Sequence, residues 1–94
     1  MAGETFESVW DAVCDTPAEA ENMKLRAKLM TCIRDHIVRK KLDTRAIQVM
    51  LGLTQPRVSY LMTGKIDKFS LDTLVLMASR AGLHVSISAT VDAA

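Results

Sequence analysis

The sequence predicts an all-α domain of four to five helices that ends in one β-strand. Three observations carry that expectation. Apolar residues recur at helical spacing along most of the chain, helix-starting and helix-stopping residues fall at the ends of those runs, and strict alternation replaces the helical period after residue 82. With 94 residues, 49% hydrophobic and 24% charged, the chain supports one small core. Few aromatics and frequent Met make that core aliphatic.

Thr16-Pro17-Ala18-Glu19 marks the first helix start: Thr as N-cap, Pro at the first helical position, and Glu three residues after the cap to close a capping box. A long helix is expected from Pro17 to about Lys41. Its apolar stripe is Ala20, Met23, Ala27, Met30, Ile33 and Ile37, widened by Leu29. Arg39, Lys40 and Lys41 suit the negative end of the helix dipole, with phosphate contact as the alternative use.

Leu42-Asp43 connects to a second helix, Thr44 to Leu51, for which Asp43 is the expected N-cap. Ile47, Met50 and Leu51 face inward, as does Leu53 from the turn. Gly52-Leu53 breaks the chain, and a third helix opens with Thr54 as N-cap and Pro56 in the first turn. Val58, Leu61 and Met62 bury together, leaving Gln55, Arg57, Ser59 and Tyr60 on or beside the outer face until Gly64 ends the helix. Helix, glycine-containing turn, helix is the helix-turn-helix motif. Gln pairs two-pronged with an adenine edge and Arg with a guanine edge, while Ser and Tyr hydroxyls suit phosphate oxygens. Residues 54–64 therefore have the chemistry of a helix that reads a major groove. Pro56 suits a thymine methyl.

After Gly64 the loop Lys65 to Phe69 brings two lysines. Ser70 caps a fourth helix, Leu71 to about Ala81, ended by Gly82. Leu71, Leu74, Val75, Met77 and Ala78 form its inner side, and Phe69 packs as a staple before the cap. The free N–H groups at that helix start, beside Lys65, Lys68 and Ser70, make a candidate phosphate clamp.

In the last segment, Leu83, Val85, Ile87, Ala89 and Val91 alternate with His84, Ser86, Ser88 and Thr90, the pattern of a half-buried strand. A lone strand leaves its backbone unpaired. Pairing with the same strand of a second copy, through Val85, Ile87 and Ala89, predicts a homodimer; pairing with residues 5–9 is the alternative. Two-fold symmetry would set two reading helices roughly 34–36 Å apart, one turn of duplex.

Net charge is only +1, yet it is unevenly distributed. Residues 1–21 carry Glu4, Glu7, Asp11, Asp15, Glu19 and Glu21 without a Lys or Arg, so all 12 basic residues lie in the remainder. Residues 1–15 form an acidic arm before a 16–94 domain. Phe6, Val9, Trp10 and Val13 make a short apolar stripe in the arm, suited either to docking on its own domain or to binding a partner protein. Cys14 and Cys32 form no CxxC pair, and Cys32 with His36 offers two metal ligands without a further pair, so neither metal nor cofactor is expected. With no signal peptide and no long apolar run, a cytoplasmic, nucleoid-associated protein with reduced thiols and no membrane partner is expected. No nucleophile with a nearby base, paired carboxylates or phosphate loop is evident, which argues against an enzyme.

Residues 44–64 with the following Lys65 to Leu74 resemble the phage-repressor-type (XRE, Cro/CI-like) helix-turn-helix family. The segment Gly52-Leu53-Thr54-Gln55-Pro56-Arg57-Val58-Ser59, with Leu61-Met62, Gly64-Lys65-Ile66 and Phe69-Ser70-Leu71-Asp72, is similar to the HigA-like antitoxins of toxin–antitoxin operons. The similarity covers about residues 22–88. It implies a lambda-repressor-like fold, a double-stranded operator belonging to the protein's own operon, phosphate contact by Thr44 or Arg45, and neutralisation of a basic toxin, with the Phe6 to Val13 arm as its contact. Thr44 stands where the superfamily often has a phosphate-binding Gln, and Gln48 where a small Ala lets the two helices cross closely. Two other readings remain: a phage-type repressor without a toxin, and a protein-interaction module that keeps the helix-turn-helix shape.

Overall fold

The computed structural model describes residues 16–91, which form four α-helices and one 3-10 turn. The helices are α1 Pro17–Lys40, α2 Thr44–Leu51, α3 Gln55–Met62 and α4 Leu71–Arg80, with the turn at Ile66–Lys68 between the last two. Three of the four starts are fixed by a side-chain cap. Thr16 Oγ1 accepts from the Glu19 N–H at 3.1 Å, Asp43 Oδ1 from the Ala46 N–H at 2.8 Å, and Ser70 Oγ from the Thr73 N–H at 3.1 Å. Each satisfies one of the N–H groups that a helix start leaves without an acceptor.

The apolar stripe of α1 is the spine of the core. Met30, Ile33 and Ile37 are buried against Ile47 and Leu51 of α2, Val58 and Leu61 of α3, and Leu74, Met77 and Ala78 of α4. Phe69 joins them at 1% exposure, so the residue expected to staple the α4 start is a full core member. Burying each such side chain contributes roughly 1.5–3 kcal/mol, enough for a few dozen residues of helix to hold together without a disulfide. Met23, expected in the stripe, is only half-buried.

The first helix ends at Lys40, as expected, and Lys41 takes a left-handed conformation at φ 54°. Its N–H donates to the Val38 carbonyl and that of Leu42 to Ile37, the pairing that usually ends on glycine. One expectation is corrected, the C-terminal strand. Residues 83–91 carry no regular secondary structure, and past the Leu83 N–H, which donates to Ala78 at 2.9 Å, the tail makes no backbone hydrogen bond among the described residues. Alternation selects faces, but a strand forms only by pairing, and the helices of one chain offer no edge. Leu83 and Val85 pack on the core, whereas Ile87 and Val91 are exposed. Phe6, Val9, Trp10 and Val13, and the alternative strand at residues 5–9, lie outside the described residues.

Candidate DNA-reading surface

Successive residues of α3 are about 100° apart, so the buried pair Val58 and Leu61 fixes the inner side, and Pro56, Ser59 and Tyr60 lie opposite. Pro56 and Ser59 are exposed, as is Gln55 at the first turn; Tyr60 is half-buried. Thr54 occupies the N-cap position without a side-chain cap bond. Pro56 removes the second helical N–H as a donor, and the Thr54 hydroxyl makes no bond to the third, that of Arg57.

Arg57 sits on the seam of the helix rather than on its outer side. Its guanidinium lies 4.6 Å from the centroid of the Phe69 ring, while Arg26 Nη1 donates to the Phe69 carbonyl at 3.2 Å. Two arginines thus hold the residue that links α3 to α4. A stack of this kind is worth roughly 0.5–1 kcal/mol at an exposed site and about 2 when desolvated. Composition gave no hint of it, because the ring is twelve residues away in sequence.

On one flank of α3, Thr44 and Arg45 are exposed at the start of α2 and line a shallow depression with Gln48, Val49 and Gln55. Gln48 is half-buried at the rim of that depression, while Ile47 and Leu51 of the same helix are buried in the core. On the other flank, Lys68 Nζ lies 5.4 Å from the Tyr60 ring, and Lys65 is exposed immediately after the helix. Ser70 is occupied locally: besides its cap bond, its Oγ lies 2.8 Å from Thr73 Oγ1. Any anion contact at this point falls first to the N–H groups of Leu71 and Asp72 and to the neighbouring lysines.

The turn between α2 and α3 is closed by a residue the sequence reading passed over. Arg80 Nη1, from the last turn of α4, donates to the Leu51 carbonyl at 2.9 Å. Gly52 beside it has φ 67°, with the Arg80 guanidinium where a Cβ would point. A basic residue in the last turn of α4 was the available signal.

Residues 12–90 match the model of a family described as a helix-turn-helix domain. The chain belongs to that family. No curated protein matches it. In this helix-turn-helix protein α2 and α3 are the two helices of the motif and Gly52 to Thr54 the turn. The motif is the fold of DNA-binding regulators, whose second helix enters the major groove. Among the described residues no helix is long and apolar enough to cross a membrane.

Proposed function

We propose that the chain is a sequence-specific, DNA-binding transcriptional repressor that occupies a palindromic operator as a homodimer. The observation that carries this reading is the continuity of one polar strip, from Thr44 and Arg45 through Gln55, Pro56, Ser59 and Tyr60 to Lys68 and Lys65. In this reading Gln55 and Tyr60 meet base edges and Pro56 a thymine methyl. Thr44, Arg45, Thr54, Ser59, Lys65, Lys68 and the Ser70 cap region hold phosphates on either side. Arg57 reaches a guanine by swinging off Phe69, exchanging a cation–π contact for a two-pronged hydrogen bond.

The homodimer follows from the tail. Residues 83–91 alternate like a strand and present unpaired backbone, and a second copy supplies the matching edge through Val85, Ile87 and Ala89. The similarity to HigA-like antitoxins supports autoregulation of the protein's own operon and neutralisation of a basic toxin by Phe6, Val9, Trp10 and Val13. A gel shift with the DNA upstream of its own reading frame tests the first role. Retention of that duplex, but not of a scrambled one, is expected; equal or absent shifts refute it. Co-expression with the adjacent reading frame tests the second, where failure of a small basic protein to co-purify removes the toxin.

A further inference from the structure

An apolar groove of about 360 Å³ runs between α1 and the C-terminal tail, away from the polar strip. Leu25, Leu29 and Cys32 form one wall and Leu83, Val85 and Ile87 the other. The α1 residues recur every three or four positions, so they make a second apolar stripe beside the one that builds the core. Leu25 is 37% and Ile87 69% exposed, so the groove presents large side chains that nothing among the described residues covers.

We propose that this groove seats the chain's own N-terminal segment, with Phe6, Val9 and Trp10 entering it. The proposal does not depend on DNA binding. Charge is its first support: Glu4, Glu7, Asp11 and Asp15 flank those apolar residues with no basic residue among them, while Lys28 stands in the groove lining. Reach is the second. Thr16, the N-cap before α1, has non-helical, extended backbone at φ −130° and ψ 153°, so the helix does not continue through it. Leu25 to Cys32 lie roughly 14–24 Å along α1 from Thr16 at 1.5 Å per residue. Extended chain from Thr16 covers about 20 Å to Trp10 and about 33 Å to Phe6, enough to reach that part of α1.

A second copy is the poorer occupant. Strand pairing between tails uses their backbone edges and leaves the side-chain face toward α1 unfilled. A neighbouring copy would also bring more basic α1 surface to Lys28. Occupation by its own segment engages the Val85 and Ile87 side chains and leaves the backbone edge of the tail open for pairing. A toxin that binds the same side chains would empty the groove.

Trp10 is the single tryptophan, so its fluorescence reports this segment alone. In the full chain carrying Cys14→Ser, a nitroxide quencher is attached to the exposed Cys32. The expected result has three parts. Trp10 emission in the unlabelled chain is blue-shifted from that of a peptide of residues 1–15. The label quenches it equally in dilute and concentrated samples. Leu25→Asp or Ile87→Asp returns the unlabelled emission to that of the peptide while helical circular dichroism is retained. Peptide-like emission in the unlabelled parent, or blue-shifted emission that neither the label nor either aspartate alters, overturns the proposal. So does quenching that passes to unlabelled chains on mixing with labelled Trp10→Phe chains, which would make the occupant a second copy.

Discussion

Arg80 and Leu51 join the last turn of α4 to the end of α2: the guanidinium donates to the carbonyl at 2.9 Å and covers Gly52. A helix C-terminus carries partial negative charge and unsatisfied carbonyls, so a cation there both bonds and neutralises. The contact fixes the turn from which α3 departs, and hence the angle at which α3 is presented. Arg80→Ala should cost about 1–2 kcal/mol. In a domain of this size each kcal/mol lowers Tm by roughly 4–8 °C, measured by circular dichroism. Gly52→Ala should cost at least as much, because left-handed backbone alone costs about 1–2 kcal/mol and the Cβ displaces Arg80. Unchanged melting in both variants would show that the turn is held by something else.

Lys41 occupies the left-handed position after α1 that glycine usually takes. Lys41→Gly removes the steric cost and adds some backbone entropy to the unfolded chain, a net stabilisation of about 0.5–1 kcal/mol. Urea unfolding should shift to a higher midpoint with an unchanged slope. A lower midpoint would mean that the lysine side chain contributes more than its backbone costs.

Gln55 and Lys65 are given different work, and their alanine variants should differ in kind. Gln55→Ala should lose about 1–3 kcal/mol on the operator and relax one base position. Lys65→Ala should weaken operator and random duplex alike and lower the salt slope by about one. Competition assays with single-base operator variants distinguish them; identical behaviour would void the division into base readers and phosphate holders.

Ser86 lies exposed in the middle of the tail. Ser86→Pro removes a ladder donor without touching the core, so sedimentation should show dimer dissociation at concentrations where the parent stays paired, with helical content unchanged. A parent that is already monomeric, or a proline variant that dimerises equally, would contradict the paired tails.

Local chemistry made most of the fold legible. Thr16, Asp43 and Ser70 cap the helices they precede, and the inner positions of α1, α2, α3 and α4 follow from a 3.6-residue period. What stayed hidden depends on residues distant in sequence or on pairing that the described residues do not show. Arg57 was placed on or beside the outer face with no partner in view, because Phe69 lies twelve residues on, beyond the 3-10 turn at Ile66–Lys68. Arg80 finds Leu51 across 29 positions. The tail shows the converse: its alternation was plain in Leu83 to Val91, but a strand needs a partner, and none stands beside it among the described residues.

Fluorescence anisotropy of the full chain on the duplex upstream of its reading frame, from dilute buffer to physiological salt, tests the DNA reading most directly. Affinity should fall linearly on a log–log plot with a slope near −0.9 for each phosphate neutralised, and a random duplex should bind at least about 10³-fold more weakly. No binding in dilute buffer, or equal affinity for both duplexes, would contradict a sequence-reading role for α3.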